Sequence, residues 1–348
     1  MSENKDKLSL ILSADKINKS KKHMKVLVTG SAGHLGEALV RTLRNKGEEV
    51  IGVDIQASPF TTHKGSIENA AFVERISKGV DVIFHTATLH KPHVATHSEQ
   101  DFIDTNITGT LNLLQAAVAN GIKKFIFTST TSVFGDALVP PPGMPAAWIT
   151  EEVKTVPKNI YGVTKTAAED LCQLFHRNQG LSVIILRTSR FFPEEDDVKQ
   201  MQDAYAGDNL KANELLFRRV ELEDAVSAHL LAAARAAEIG FGRYIISATS
   251  PFSKEDLTDL RTNTPGVLKR YFPDYEDIFE RCNWKMLPQI DRVYVNQKAR
   301  EELGWQPKYD FRYVLDCLKR GKSIKSKLAG VVGAKGYHPL RFAKGFLW

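Results

Sequence analysis

The sequence has little cysteine and no long apolar run, and both absences exclude classes of protein. The three cysteines among the 348 residues lie too far apart for a CxxC pair or for metal-ligand spacing. We interpret Cys172, Cys282 and Cys317 as reduced thiols and expect no metal site. No apolar run reaches the roughly 18 residues that a membrane span requires, and the apolar stretch at residues 8–12 is too short for a secretory signal. We therefore expect a cytoplasmic protein with no membrane partner.

An excess of charge of one sign is also missing. The net charge is +6, and the 25% of charged residues is ordinary for a soluble globular protein. Seven lysines fall within the first 25 residues, and residues 319–344 are also basic. We interpret both ends as solvated segments, not as arms that bind nucleic acid. The sequence thus predicts a flexible N-terminal extension over residues 1–24, a basic C-terminal tail over residues 317–348 and no nucleic-acid partner.

Short β-rich runs alternate with helical stretches through the first half of the chain. The predicted strands are residues 25–29, 49–54, 80–85, 124–129 and 181–187. The predicted helices between them are residues 35–46, 98–120 and 157–177. Strands that alternate with helices imply a parallel sheet with both faces covered. The fold class is therefore predicted as α/β, a doubly wound sheet of the Rossmann type.

The alternation weakens after Arg187, where the remaining chain divides between two regions. Polar helix-like sequence, an alanine-rich helix, a strand and an irregular stretch follow in that order, over residues 191–218, 221–237, 242–247 and 252–287. We expect a smaller, mostly helical substrate-binding portion that packs on the dinucleotide-binding domain. The predicted ranges are 25–190 for that domain, with 219–250 returning to it, and 191–218 with 251–316 for the substrate-binding portion.

A glycine-rich turn joins the first predicted strand to the first predicted helix. Residues 29–36 read TGSAGHLG, with glycine at 30, 33 and 36. Glycine there permits a tight turn and a close approach of the backbone to a pyrophosphate, which the helix N-terminus then faces. Asp54 ends the second strand, where a carboxylate accepts the ribose hydroxyls and repels a 2′-phosphate. No cation follows Asp54 directly, so Gly30, Gly33, Gly36 and Asp54 predict a site for NAD and not for NADP.

Tyr161 and Lys165 are spaced to lie on one face of a helix. A cation beside a phenol favours the phenolate, so we expect the pKa of Tyr161 to be lowered toward neutrality. Such a tyrosine can exchange a proton with a hydroxyl while hydride is transferred. Hydroxyl side chains also cluster where the fourth strand ends, and we expect Thr130, Thr131 and Ser132 to bind the substrate oxygen.

These features together resemble the extended short-chain dehydrogenase/reductase family of epimerases and dehydratases. The resemblance extends over about residues 25–316 and includes residues 29–36, 54, 85–88, 106–110, 127–135, 161–165, 186–187 and 298–305. It implies that Thr130, Tyr161 and Lys165 are catalytic and that NAD is the cofactor. It also implies cofactor contacts from His34, Leu35, Ser66, Ile67, Thr86, Ala87, Thr88, Asn106, Thr128, Tyr161 and Lys165. His85 belongs to a matching segment, but we interpret it as packed and not catalytic.

Three positions depart from the family pattern. Ser66 follows Gly65 where the family often has aspartate, and Thr131 and Ser132 stand where dehydratases carry an acid pair. Arg190 replaces the asparagine that nucleotide-sugar enzymes share in their Leu-Arg-x-x-Asn stretch. A guanidinium there suits a carboxylate or phosphate of a substrate, and the alternative is a salt bridge to Glu194 or another neighbour.

The sequence predicts an NAD-dependent oxidoreductase for a secondary alcohol or ketone of a sugar-like or nucleotide-sugar small molecule. Epimerisation through a transient ketone is slightly favoured over net dehydrogenation of a non-nucleotide hydroxy substrate. A dinucleotide-binding sensor without turnover is the alternative of another class. The family resemblance also implies a homodimer through two long helices.

Overall fold

A parallel sheet forms the centre of the molecule. The computed structural model describes residues 23–194 and 199–335, so residues 1–22 of the predicted N-terminal extension lie outside the described residues. In chain order the strands of the described residues are β1 (Lys25–Thr29), β2 (Glu49–Asp54), β3 (His63–Lys64), β4 (Val82–His85), β5 (Lys124–Thr130), β6 (Ala147–Ile149), β7 (Ser182–Thr188), β8 (Phe241–Ile246) and β9 (Arg292–Tyr294). Seven of them form the main sheet, in the order β3-β2-β1-β4-β5-β7-β8, and β6 pairs separately with β9.

Helices cover both faces of the sheet and build the C-terminal portion. In chain order they are α1 (His34–Asn45), α2 (Ala70–Ile76), α3 (Glu99–Phe102), α4 (Gly109–Ala119), α5 (Ile160–Gln179), α6 (Lys199–Ala204), α7 (Gly207–Glu214), α8 (Leu222–Ile239), α9 (Leu257–Leu260), α10 (Thr264–Tyr271), α11 (Tyr275–Arg281), α12 (Gln297–Leu303), α13 (Phe311–Lys319) and α14 (Lys327–Val332). A π-helical segment, Ile103–Thr108, joins α3 to α4. In the described ranges, no helix combines the length and the apolarity needed to cross a membrane.

Alternate residues of the central strands enter the cores on the two faces of the sheet. Val26 and Val28 of β1 pack in the same core as Leu39 of α1. Leu27, between them, packs in the opposite core with Leu113 of α4. All three β1 residues are completely buried, which explains why the strand reads as a continuous apolar run. The doubly wound α/β fold predicted from the alternation is confirmed.

The strand order reverses between β1 and β4, since β2 lies on one side of β1 and β4 on the other. In open α/β sheets, ligands bind at such a reversal, outside the carboxyl ends of the strands. Thr29 ends β1 and His85 ends β4, and the two residues are register partners. The fold therefore places the candidate site above Thr29 and His85.

The C-terminal portion is built on an aromatic core. Phe272, Phe279 and Phe311 are buried together between α10, α11 and α13. The prediction that residues 252–287 are irregular was wrong, because α9, α10 and α11 lie there. Each of these helices has only four to eight residues, too few turns to produce a recognisable helical period in sequence.

The chain past residue 316 does not begin as a free tail. Residues 317–319 complete α13, and α14 follows. Ala329 and Val332 of α14 are buried in the same core as Leu39. The apolar face of α14 explains why residues up to 335 pack on the domain, and residues 336–348 of the predicted tail lie outside the described residues.

Candidate active site

A cleft of about 730 Å³ opens at the carboxyl ends of β1, β4, β5 and β7. Its wall contains nearly all of the predicted site residues. Those on the wall are Gly30, Gly33, His34, Leu35, Gly36, Asp54, Ser66, Ile67, Thr86, Ala87, Thr88, Thr128, Thr130, Thr131, Ser132, Tyr161 and Arg190. Asn106 and Lys165 are the predicted residues that lie behind it.

The glycine-rich turn brings bare backbone to the start of α1. Gly30 has a φ of 71°, and a Cβ on it would lie 2.8 Å from the backbone nitrogen of Ala87. A Cβ on Gly36 would lie only 1.9 Å from the carbonyl oxygen of Gly30. Gly33 is the N-cap of α1, and its N–H donates to the Gly30 carbonyl at 3.0 Å. The free N–H groups of this helix start fit a dinucleotide diphosphate.

The far end of the cleft is formed after β2 and β3. Asp54 accepts a 3.0 Å hydrogen bond from the Ala32 N–H through Oδ2 and a 2.9 Å bond from the Gln56 N–H through Oδ1. Its carboxylate therefore fixes the glycine-rich turn as well as facing the cleft. Ser66 and Ile67 lie opposite, where the Ser66 hydroxyl accepts a bond from the Glu68 N–H at 3.1 Å. The carboxylate of Asp54 and the neutral hydroxyl of Ser66 suit a ribose that carries no 2′-phosphate.

The loop after β4 is held by hydroxyl groups and a neutral histidine. Thr29 Oγ1 accepts from the N–H groups of Thr86 and Ala87 at 3.2 and 3.1 Å. His85 lies between Thr29 Oγ1 and Thr110 Oγ1, at 2.9 Å from each. Burial, followed by the charge of Lys165, holds the pKa of His85 well below its usual value. His85 is thus a packed residue, as the sequence indicates.

Asn106, which the family resemblance assigns to the cofactor, lies behind the wall of the cleft. Its Oδ1 accepts hydrogen bonds from Thr88 Oγ1 and the Leu89 N–H, both at 2.9 Å. Its Nδ2 donates to Thr164 Oγ1 at 3.0 Å and to the Leu89 carbonyl at 2.9 Å. The buried amide is saturated by these bonds and holds the loop on which Thr88 lines the cleft.

Tyr161 and Thr130 meet at the centre of the cleft. Asn159 caps α5 by accepting from the Gly162 N–H at 3.0 Å, which places Tyr161 in the first turn of that helix. Thr130 ends β5, and its hydroxyl lies beside the Tyr161 side chain on the wall of the cleft. Thr130 Oγ1 also accepts from the Ser132 N–H at 3.1 Å, which fixes its rotamer. Thr131 and Ser132 line the wall beside this pair.

The electrostatics of Tyr161 differ from the prediction. Burial raises the pKa of Tyr161 to about 12, although the neighbouring Thr130 hydroxyl acts in the opposite direction. The prediction of a lowered pKa was wrong, because only 8% of this residue is exposed. Desolvation of the phenolate therefore outweighs the favourable interactions.

Lys165 lies one turn further along α5, behind the wall of the cleft. Its ammonium donates to the Thr128 carbonyl at 2.7 Å and lies 4.0 Å from the centre of the Phe127 ring. Burial lowers the pKa of Lys165 to about 7, against the opposing effects of Cys172 and Glu169. The amine is therefore close to its titration point at neutral pH.

A buried ion pair joins α5 to the central strands. Glu169 accepts from Ser129 Oγ at 2.6 Å and from Arg187 at 2.8 Å. The Thr128 hydroxyl lies 2.8 Å from Nε2 of His229 in α8. These contacts fix the ends of β5 and β7 against the helix that carries Tyr161.

Three arginines surround one buried carboxylate at the substrate end. Glu214 is completely buried and pairs with Arg190 at 3.2 Å, Arg218 at 2.7 Å and Arg219 at 2.8 Å. Burial would raise the pKa of Glu214, but the three cations hold it well below its usual range. All three arginines line the cleft. The salt-bridge alternative for Arg190 is thus correct in part, since Arg190 has this partner and also faces the cleft.

Several residues of the site were missed by the sequence analysis. They are Glu214, Arg218, Arg219 and Lys335. The adjacent arginines just before the alanine-rich helix were a visible signal. Glu214 carried no signal, because nothing in its local sequence distinguishes it from an exposed acid, and Lys335 fell within the predicted tail.

A family model described as NAD dependent epimerase/dehydratase family matches residues 26–246. The uncharacterised UDP-glucose epimerase YtcB of Bacillus subtilis is 32% identical over 185 residues, 47% of this chain and 55% of that protein. The chain spans about half the length of the first curated relatives that it matches. A UDP-glucose 4-epimerase of Halalkalibacterium halodurans is 24% identical over 82% of this chain and 91% of its own length.

Solved structures share the fold. A short-chain dehydrogenase/reductase superfamily protein from Agrobacterium tumefaciens, with bound NAD, has a TM-score of 0.60 at 22% identity, covering 88% of this chain and 99% of its own. The UDP-glucose 4-epimerase of Thermotoga maritima, with UDP-glucose, has a TM-score of 0.58 at 24% identity, covering 86% and 99%. The resemblance drawn from the sequence motifs is confirmed.

Proposed function

The chain belongs to the NAD dependent epimerase/dehydratase family, and from this premise we propose that it oxidises a secondary alcohol of a sugar-like substrate and reduces the corresponding ketone. NAD is its cofactor. The proposal rests on one observation above all. Tyr161 and Thr130 line the same cleft as the glycine-rich turn.

The proposed chemistry assigns a proton to each step of hydride transfer. NAD supplies a hydride acceptor, and its reduced form supplies a hydride donor. In oxidation, the Tyr161 phenolate oxygen takes the proton of the substrate hydroxyl. In reduction, the Tyr161 hydroxyl returns that proton to the carbonyl oxygen. Thr130 is positioned to hydrogen-bond the same oxygen, which orients the carbon for transfer.

Lys165 has a positional and an electrostatic role in this proposal. Its bond to the Thr128 carbonyl fixes the amine, and Lys165 follows Tyr161 by one turn of α5. Because its pKa is about 7, a protonated Lys165 is available near neutrality to favour the phenolate form of the tyrosine. Without such a cation, burial of Tyr161 would leave too little phenolate for proton transfer at neutral pH.

The arginine cluster supports a substrate with an anionic group. Arg190, Arg218 and Arg219 all pair with Glu214 and all line the cleft. A carboxylate or phosphate that enters the cleft would complete this arrangement by charge-assisted hydrogen bonds. Several relatives are described as acting on UDP-glucose, so we propose nucleotide sugars or sugar acids as the substrate class.

Arg190→Ala should raise KM by more than about tenfold, because it removes a charge-assisted bond worth about 1.5–3 kcal/mol. Arg190→Lys should lose less, since the charge remains. Arg235→Ala removes an exposed pair with Glu238 on α8 and should leave KM unchanged. Steady-state kinetics with thermal unfolding would check this. An unchanged KM with lowered stability would instead assign Arg190 only to holding Glu214.

NAD should bind at least about tenfold more tightly than NADP, because the Asp54 carboxylate repels a 2′-phosphate. Asp54→Asn retains the shape and the side-chain oxygen while removing the charge, so it should reduce the difference in affinity between NAD and NADP. Fluorescence titration of the wild type and of Asp54→Asn with each dinucleotide measures this difference. Tighter NADP binding by the wild type would refute the role of Asp54.

Two reactions remain candidates, epimerisation with return of the hydride and net dehydrogenation. Arg190 in place of asparagine favours net dehydrogenation, since a guanidinium pairs readily with the carboxylate of a non-nucleotide hydroxy acid. We propose epimerisation by a slight margin, because the substrate-binding portion is large enough for a polyhydroxylated substrate.

A substrate panel tests the proposed function. The protein is incubated with excess NAD and nucleotide sugars, free sugars or sugar acids, while NADH and product stereochemistry are followed together. Inversion without NADH accumulation supports epimerisation, and NADH formation over many turnovers supports dehydrogenation. No reaction with any substrate despite tight NAD binding would favour the sensor.

We also propose a homodimer in the cytoplasm. Ile103, Val118, Val163 and Leu174 are apolar side chains of the α3–α4 and α5 region that are more than a third exposed. A second copy would cover them. The three cysteines are unpaired thiols, which suits a reducing compartment.

A further inference from the structure

The C-terminal segment returns to the start of α1, next to the glycine-rich turn. Ser326 caps α14 by accepting from the Ala329 N–H at 2.9 Å. Ala329 and Val332 anchor α14 in the core against α1. Three residues after α14 ends, Lys335 reaches the wall of the cleft.

The side chain of Lys335 pairs with a buried carboxylate in the first turn of α1. Glu37 directly follows Gly36 and is only 4% exposed. Its Oε1 accepts from Arg41 Nε at 2.7 Å. Its Oε2 is paired with the ammonium of Lys335. Each oxygen of this acid therefore has its own cation, one from α1 itself and one from the C-terminal segment.

The backbone of Lys335 makes a second contact at the same place. Its N–H donates to Glu194 Oε1 at 2.7 Å. The same oxygen lies 2.8 Å from Nε2 of His34, the first residue of α1. Lys335 is thus held at two points, both next to the backbone N–H groups that fit a diphosphate.

The negative charge of Glu37 disfavours the binding of an anion at the start of α1. The start of a helix attracts anions through its free N–H groups and its dipole. A carboxylate in the same turn opposes a second anion, and burial strengthens the opposition because the local dielectric is low. The two cations on this carboxylate, Arg41 and Lys335, together remove this effect.

We propose that Lys335 is a positioning residue for the cofactor, which neutralises Glu37 so that the first turn of α1 accepts the dinucleotide diphosphate. The inference rests on NAD binding by the glycine-rich turn, as in the proposed function. It assigns the C-terminal segment to the cofactor site, although this segment lies beyond the matched family region, residues 26–246.

Titration of the full chain with NAD, followed by intrinsic fluorescence, tests the proposal. Lys335→Ala should weaken NAD binding about tenfold, because one unit charge is lost beside the diphosphate site. Lys335→Arg should bind within about threefold of the wild type, since it retains the charge. Lys325 lies in the same C-terminal segment and makes an exposed pair with Asp208 of α7. Lys325→Ala removes this pair and should not change the affinity for NAD. Thermal unfolding of each variant checks that the segment stays folded.

The double variant separates neutralisation of Glu37 from a direct attraction to the diphosphate. If Lys335 acts through Glu37, adding Glu37→Gln to Lys335→Ala should restore affinity to within about threefold of the wild type. An equal loss in both backgrounds would overturn the proposal, and so would wild-type affinity of Lys335→Ala. Those outcomes leave the proposed function intact, whereas a wild type that fails to bind NAD overturns both.

Discussion

Tyr161→Phe is expected to lower turnover by about 10²–10⁴-fold, the usual contribution of a general acid or base. The substitution removes only the hydroxyl that meets Thr130 and leaves the buried ring in place. NAD affinity should stay within a few-fold of the wild type, because the glycine-rich turn and Asp54 form the binding site. Steady-state turnover and NAD titration of the same preparation measure both effects.

Tyr244→Phe is a matched control for this result. Tyr244 is a buried tyrosine of β8 whose hydroxyl donates to Glu302 at 2.7 Å, away from the cleft. Its loss should affect stability and not turnover. A Tyr161→Phe variant that retains turnover would remove Tyr161 from the proton-transfer step.

The pH dependence of the reaction follows from the same tyrosine. Oxidation needs the phenolate, and burial raises the pKa of Tyr161 to about 12. The oxidative rate should therefore rise with pH across neutrality as the phenolate fills, and loss of the Lys165 charge above its pKa of about 7 should flatten the rise at higher pH. The reductive direction uses the neutral phenol, so its rate should not rise over the same interval. An oxidative rate that falls with pH would assign the essential proton to another group.

Gly36→Ala is expected to abolish measurable NAD binding. The new Cβ would lie 1.9 Å from the carbonyl oxygen of Gly30 and 2.6 Å from its carbonyl carbon. Both atoms belong to the backbone, so the glycine-rich turn must move before the methyl group fits. That movement displaces the N–H groups that face the diphosphate.

Two further glycine variants form a graded series with Gly36→Ala. A Cβ on Gly33 would lie 3.3 Å from the Gly30 carbonyl oxygen, so Gly33→Ala should weaken binding without abolishing it. Gly330 in α14 has open space around it, and Gly330→Ala should bind NAD normally. Calorimetric titration of the three variants measures the series. Normal NAD binding by Gly36→Ala would show that the turn does not hold the cofactor.

The parts of the site that could be predicted are local in sequence. The glycine-rich turn occupies eight consecutive residues, and Tyr161 and Lys165 are one helical turn apart. Their spacing alone specifies their geometry once the strand and helix are recognised. The central sheet was predictable for the same reason, since each buried strand is a short apolar run.

The parts that could not be predicted depend on distant contacts. Lys335 and Glu37 are 298 residues apart, and Arg190 and Glu214 are 24 apart across a change of element. The pKa of Tyr161 was predicted in the wrong direction because its burial depends on the whole cleft. Spacing identifies which groups are neighbours along a helix, but it does not reveal how much water the fold removes from them.

The appearance of NADH during a single turnover tests the central claim most directly. The protein with bound NAD is mixed rapidly with the substrate found by the panel, and NADH absorbance and product are followed in the wild type and in Tyr161→Phe. We predict that the wild type forms NADH, transiently and before product in an epimerisation or lastingly and together with product in a dehydrogenation, and that Tyr161→Phe forms neither at a comparable rate. Product formation by the wild type without NADH at any time would contradict hydride transfer in this cleft.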